Sequence, residues 1–510
     1  MSLSYHSLIF LFVLLPTLMV AYNAFPHKMR RYIILLFNYV FLITWSKKLV
    51  LVQICLMLIT YIIGLKIQDI QRQGRDKIYK RIAKRYMWFG IVMNLGTLAI
   101  FKYLNFFAEL GTNFLNIQFS PLNILIPVGI SYYTLQQISY LIDISSRNVE
   151  AERNIINFAI YTSFFATILQ GPITRYAEVK DDIANLNTIN LDNSIHGYER
   201  ILFGLFKKVV LADRIAPAVN YLFNLHTSVG SITVLAAVLC TAQLYMDFSG
   251  TVDISIGAAK IFGIHLPENF KQPFFAKNAT DFWHRWHMTL SRYLRDYVFY
   301  PISLSRIMMR LSKFLKKHNC KWLAKVTGPF IALFVVWLCN GLWHGANILF
   351  ILYGMYYFML MIIEILLEKP WKLFLNYFKL TDRSNIIIIF RFIKLLIIVC
   401  YGEMMCRVSG FSELIVMTKS IFINFNINQL LSMITNIPLL ISDWVIILAG
   451  MLIIFIISLY KERKVDLQVK FDSLNTWKRW GILYILIFTI ILFGAYGPGF
   501  DNIAIIYAGF

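Results

Sequence analysis

Apolar runs close to the roughly 20 residues that a helix needs to cross a bilayer recur from one end of this sequence to the other. The clearest occupy 7–25, 49–65, 86–107, 330–346, 347–367, 388–408, 437–459 and 479–496. Shorter or polar-interrupted runs lie at 32–46, 121–142, 155–170, 201–221, 231–249 and 251–263. The pattern predicts an all-α, polytopic integral membrane protein with roughly 11–13 spans, some of them short, tilted or re-entrant. With 58% hydrophobic and 15% charged residues in 510, a soluble domain of ordinary composition is excluded. The run 7–25 has no basic stretch before it and no small-residue cleavage pattern after it. It is therefore expected to stay as a helix rather than to be removed as a signal peptide.

The formal net charge is +22, yet its distribution argues against nucleic acid as a partner. The basic residues are expected to gather in loops between apolar runs. Stretch 66–85 carries eight Lys/Arg against two Asp, 304–326 carries seven with no acid, and 460–480 carries six. The positive-inside rule places such stretches in the cytoplasm and, counting back from 66–85, puts the N-terminus outside. The six cysteines (Cys55, Cys240, Cys320, Cys339, Cys400, Cys406) show no CxxC and no metal-ligand spacing. Most sit in apolar runs, where a thiol acts as a small hydrophobe.

No repeat period and no Gly/Ser-rich linker divides the chain, and the longest polar stretch, 174–200, is too small for a domain. A single integral-membrane domain over 1–510 is expected, with its polar motifs in a core at 127–347 and flanking helices at 1–126 and 348–510. Three segments interrupt the spanning pattern: Pro127–Ser131 with Gln136, Gln137 and Asp143 after it; Gln170–Arg175; and Asp247–Gly250 with Asp253, between two runs short for a crossing. Irregular backbone at membrane depth is tolerated only where protein or a water-filled cavity covers it. These segments are expected to line a cavity, ordinary interfacial punctuation being the alternative.

The chemistry concentrates at Asp281–Pro301, DFWHRWHMTLSRYLRDYVFYP, and at Trp343–His344–Gly345–Ala346. Wound as one helix, the first stretch stacks Asp281, His284, His287, Ser291 and Arg295 on a polar face, opposite Trp283, Trp286, Leu290, Leu294 and Tyr297. A polar row among membrane-grade sequence is expensive and usually functional. His344 follows the apolar run Phe330–Cys339 and is surrounded by Asn340, Gly341, Gly345 and Asn347. Small residues there let a substrate or another backbone approach, and amides can fix a tautomer. An imidazole in an apolar site is available as a base near neutrality. His344 is the candidate general base. His287 is the candidate second group, orienting that base or stabilising oxyanion charge, with Arg285, Trp286 and Trp343 beside the two. No acid or cysteine stands at a zinc-like spacing from His284 and His287, so no metal is expected. Arg292 and Arg295 either belong to the polar face or snorkel as interfacial anchors, with Asp296 as counter-ion.

DFWHRWHMTLSRYLRDYVFYP followed by LWHGA resembles the signature of membrane-bound O-acyltransferases. More narrowly, it resembles the bacterial branch of alginate O-acetyltransferases, which is related to teichoic acid D-alanyltransferases. VGISYYTLQQISYLID (128–143), GPITRYAEV (171–179), GLFKKVVLADRI (204–215) and MDFSGTVDISIGAAKIFGIHLPENF (246–270) look like blocks of that family in its order. SLSYHSLIFLFVLLP and the final IIYAGF look like alginate-type ends. The resemblance implies the family's fold, with His344 as the catalytic histidine and His287 as a second one nearby.

It further implies transfer of an acyl group, acetyl first, from a cytoplasmic thioester donor (acetyl-CoA or an acyl-carrier phosphopantetheine) with no tightly bound cofactor. The acceptor would be a hydroxyl of a cell-surface polysaccharide or of an extracytoplasmic SGNH-type partner, and the place a bacterial cytoplasmic membrane. Departures are His284 where the family usually has Arg, Thr251 where Tyr is usual, PISLS in place of a Gly-rich turn, and IVCYGEMMCRVSGF at 398–411 in place of a tryptophan-and-arginine block. D-alanyl transfer to teichoic acid is the nearest rival. A secondary transporter is the rival of another class, disfavoured because the unusual segments fall in one central block rather than in two repeats.

Overall fold

In a computed structural model, residues 4–115 and 117–496 are described. The N-terminal Met1–Leu3 and the closing IIYAGF block lie outside them. The chain is 79% helical, with no strand among the described residues. Among the described residues, eight helices are long and apolar enough to cross a membrane, or nine if the pair Phe411–Ile423 and Ile427–Ile434, bent by 116°, is one span. The stretch His27–Gln73, at 47 residues, is a single one of these eight although Lys47 turns the backbone within it at φ 48°. Phe10–Ala24 and Ile155–Ile168 are apolar but shorter. The larger expected number of spans counted such shorter runs as well.

Contacts group the described residues into two compact units. One contains the residues up to Gly204 with Thr251–Pro267; the other contains Leu205–Gly250 and the residues from Glu268 onward. In the first unit, Tyr5, Phe10, Phe41 and Phe165 form an aromatic cluster, with Tyr5 stacked on Phe41 at 5.8 Å. Polar residues inside its apolar helices find each other. Thr60 donates to Gln137 Oε1 at 2.7 Å, Asn94 donates to Thr60 at 3.1 Å, and Gln53 donates to the Thr162 hydroxyl at 3.2 Å. Such pairs are how buried polar groups survive where water is absent.

The second unit packs Ile215, Val219, Leu222, Ile232, Leu349 and Met404 into one core. Its Lys321–His344 and Ile348–Tyr377 helices approach closely through glycine. A Cβ on Gly354 would stand 2.2 Å from Trp337 O, and one on Gly341 would stand 2.4 Å from Phe350 O. Only small residues permit that approach.

Three expectations need correction. Asp247–Gly250 and Asp253 do not separate two short runs, because Gly230–Ile261 is one 32-residue helix. Two of its polar positions have partners in place: Lys208 Nζ lies 2.5 Å from Asp247 Oδ1 and 2.7 Å from Asp213 Oδ1, and Lys207 donates to Ser249 Oγ at 3.1 Å. The basic stretch 304–326 is not a loop, because most of it is the helix Arg306–Lys317, capped by Ser305 and exposing Ile307 and Phe314 among its cations. Asp281–Arg295 is not a single helix, as described next.

Candidate active site

The DFWHRWHMTLS motif folds as two short helices, Ala279–Trp283 and Met288–Leu294. Asn278 caps the first, accepting from Asp281 N at 2.8 Å. Between the helices, His287 takes a left-handed backbone, φ 43° and ψ 51°. A non-glycine residue there is strained by about 1–3 kcal/mol and persists only when its surroundings impose it. The imposing partner is the segment before the motif. Lys271 N donates to Arg285 O at 2.8 Å, and Met288 N donates to Asn269 O at 3.0 Å. These bonds take a carbonyl and an amide out of the helical ladder, so the chain breaks where periodicity alone would continue it.

The break changes the expected polar face. His284 and Arg295 are exposed, and Asp281 and Ser291 are half-buried. Arg285 pairs with Asp281 at 3.0 Å and with Glu462 at 2.7 Å, while Arg295 pairs with Asp296 at 2.8 Å. From the row proposed for one inward face, His287 alone is fully buried, at 1% exposure. The apolar side behaves as expected: Trp283, Trp286 and Leu290 are buried. Trp283 packs edge-on against Trp337 at 5.0 Å, and Trp286 against Phe270 at 5.1 Å.

His344 is the last residue of the Lys321–His344 helix and is also buried. Trp343 joins the two histidines. Its ring centroid lies 5.1 Å from that of His287 and 5.2 Å from that of His344. The imidazoles are therefore no farther apart than the sum of those distances, although 57 residues separate them in sequence. Tyr353 lies 5.4 Å from His344 on the side of the Ile348–Tyr377 helix, and Phe248 meets His287 edge-on at 4.9 Å. Asn340, one turn before His344, is buried with its Oδ1 unbonded among the described residues. Burial first, and the His344 imidazole second, hold His287 well below the ordinary histidine range. The neutral form is therefore the one present near neutrality. All of these residues belong to the second unit.

Two candidates stand elsewhere. Asp247 is buried in the ion cluster with Lys208 and Asp213. Gln136 belongs to the first unit, buried on the helix Ile130–Ser145, where its carbonyl accepts from Tyr161 at 3.2 Å. The cavity it lines there measures about 10 Å³, room for one water at most. A larger apolar cavity of about 260 Å³ in the second unit is lined by Val238, Tyr245, Phe274, Leu396 and Phe455. Its wall residue Tyr245 backs onto Trp286 at 5.8 Å.

Sequence reasoning missed Asn269. Its Oδ1 lies 3.1 Å from His287 Nδ1 and accepts from Thr289 N at 3.1 Å and from Thr289 Oγ1 at 2.8 Å. The signal was an asparagine in the short PENF segment (267–270) ahead of the histidines, which spacing on one helix cannot connect to them.

Comparison with known proteins gives the family. Residues 145–411, which contain both histidines and Asn269, match the model of the membrane-bound O-acyltransferase family. The chain is similar to the probable alginate O-acetylase of Pseudomonas aeruginosa, 34% identical over 364 residues, which cover 71% of this chain and 65% of that protein. It is also similar to the peptidoglycan O-acetyltransferase of Helicobacter pylori, 31% identical over 391 residues, 69% of this chain and 68% of that one. The teichoic acid D-alanyltransferase of Bacillus subtilis matches over 257 residues at 30% identity, 49% of this chain and 61% of that protein. The chain thus spans just under two thirds of the alginate protein's length. Its apolar helices make it a multi-pass membrane protein, and the matched region, more than half of the sequence, places it in the membrane-bound O-acyltransferase family.

Proposed function

We propose that the chain moves an acyl group, most simply acetyl, from a cytoplasmic thioester to a hydroxyl beyond the membrane. The acceptor is a cell-surface polysaccharide or an SGNH-type partner protein that passes the group on. One observation carries the reading: within the family-matched region, two buried histidines from distant parts of the sequence stand against one indole, that of Trp343.

A hydroxyl is a poor nucleophile until a base takes its proton. His344 takes that proton as the oxygen attacks the thioester carbonyl carbon. The tetrahedral intermediate then breaks its C–S bond, and the departing sulfur recovers the proton from the imidazolium, leaving an ester and a free thiol. His287 is the second polar group at this point. The donor, acetyl-CoA or an acyl-carrier phosphopantetheine, is a substrate, and the chemistry requires no resident cofactor. A bacterial cytoplasmic membrane suits a donor and an acceptor that start on opposite sides.

The similarity to a D-alanyltransferase favours one second reading, alanyl transfer from a carrier protein to teichoic acid. Mass spectrometry of cell-surface polymer from cells carrying wild-type or His344→Ala protein separates the cases. Loss of acetyl esters by at least about 100-fold, the share of a general base, supports acetyl transfer. Loss of alanyl esters instead supports the second reading. Retention of both at above a tenth would falsify His344 as the base.

A further inference from the structure

We propose that Asn269 is the positioning residue that sets the tautomer of His287, holding Nδ1 as the donating nitrogen and leaving Nε2 as a lone-pair acceptor. His287 then serves the reaction centre by accepting a hydrogen bond from an O–H or N–H, not by donating one to an oxyanion. The proposal rests on the reading of His287 as part of an acyl-transfer centre and specifies its role there.

The argument starts from an atom whose role is not adjustable. The backbone N–H of Thr289 can only donate, and it points at the side-chain amide of Asn269 at 3.1 Å, with the Thr289 hydroxyl at 2.8 Å on the same atom. That amide atom is therefore the oxygen, and the flip ambiguity usual for asparagine is removed. The same oxygen faces His287 Nδ1 at 3.1 Å. A carbonyl oxygen can only accept, so Nδ1 carries a hydrogen.

Only one ring proton is then available to the neutral imidazole, and Nε2 is bare. Nε2 is buried and finds no hydrogen-bond partner among the described residues, so no protein donor competes for its lone pair. Asn269 is itself fully buried and anchored by its backbone, because its carbonyl accepts from Met288 N at 3.0 Å. That bond and the Thr289 bonds hold the backbone on the C-terminal side of His287, while Lys271 N, donating to Arg285 O at 2.8 Å, holds the other side. The tautomer thus follows from one residue, which also shares in holding the backbone that presents the ring. Groups that act on a histidine from behind in this way typically change rates by 10- to 100-fold or more when removed, through the wrong tautomer.

The test uses the full chain in lipid bilayers with ¹⁵N-labelled histidine. His287 is assigned among the nine histidines by difference from His287→Gln. The wild-type spectrum is expected to show a protonated Nδ1 and an unprotonated Nε2. Asn269→Leu removes the acceptor and should mix the tautomers, lowering kcat by about 10- to 100-fold with KM for the thioester changed less than about threefold. Asn269→Asp keeps an oxygen acceptor for both Nδ1 and Thr289 and should restore the signature, with kcat within about tenfold of wild type.

A protonated Nε2 in the wild-type protein overturns the proposal. So does an Asn269→Leu variant that loses activity with the tautomer unchanged, or one that keeps both. If Asn269→Leu does not fold, the wild-type and Asn269→Asp spectra decide. The spectrum needs no acyl-transfer assay. The expected tautomer together with acyl transfer indifferent to His344→Ala would overturn the function reading and leave the role of Asn269 supported.

Discussion

At the scale of single residues, burial distinguishes two histidines that sequence spacing could not. His284 and His287 are three apart in one motif, yet the first is exposed and the second is at 1% exposure. His284→Ala should leave acyl transfer within about twofold of wild type, whereas His287→Ala should lose at least about tenfold. Matched losses from the two, measured as turnover per unit of membrane-inserted protein, would contradict the placement. That His287 and His344 would come together was legible from the tryptophan-rich motifs around them. Their shared indole was partly legible, since Trp343 adjoins His344. Asn269 was not, because its link to His287 depends on the chain reversing at Arg285–Met288, and that reversal is fixed by backbone bonds to Lys271 and Asn269.

A second residue-scale expectation concerns Lys208, whose ammonium is 0% exposed between Asp213 and Asp247. Removing one partner of a buried ionic group leaves uncompensated charge, at about 3–5 kcal/mol. Lys208→Met should therefore lower thermal stability and membrane abundance. The double variant Lys208→Met with Asp247→Asn should recover part of the loss, since it removes a charge along with its partner. Equal stability of the single variant and the wild type in a detergent melting assay would count against a structural role for the cluster.

At the scale of elements, the long apolar helices were readable because each run is a solvent-transfer decision made locally. Misreadings arose where tertiary partners override local pattern. Asp247 looked like a break, and Lys208 makes it a tolerated position inside a 32-residue helix. DFWHRWHMTLS looked like one helix, and the Asn269 segment breaks it. The glycine contact between Lys321–His344 and Ile348–Tyr377 gives a prediction at this level. Gly354→Leu, whose Cβ would stand 2.2 Å from Trp337 O, should force the helices apart and reduce folded protein. Gly481→Ala, with open space around it, should be tolerated. A Gly354→Leu protein with unchanged melting behaviour would show that the two helices can separate without loss.

At the scale of the whole molecule, the sequence correctly conveyed an all-helical multi-pass protein, while the number of full crossings depends on how short and bent helices are counted. Topology remains an expectation with a direct test. The helices Val50–Gln73 and Lys77–Leu98 are joined by a short connection at Gly74–Asp76, within the basic stretch 66–85. Arg75→Cys, in a chain whose six native cysteines are replaced, should be shielded from a membrane-impermeant thiol reagent in intact cells and labelled after permeabilisation. Labelling in intact cells would invert the orientation.

The glycine-packed pair that ends in His344 has a consequence for biogenesis. Its two helices are neighbours in sequence, joined by only the residues Gly345–Asn347, and can enter the bilayer as a hairpin during synthesis. The His287 segment is synthesised earlier and lies in short helices that no membrane-insertion signal would hold in place. The hairpin would then be the template on which that segment is ordered. On this account, lesions at Gly341 or Gly354 are read by the insertion and quality-control machinery as loss of protein, and lesions at His287 or His344 as protein that accumulates and does nothing.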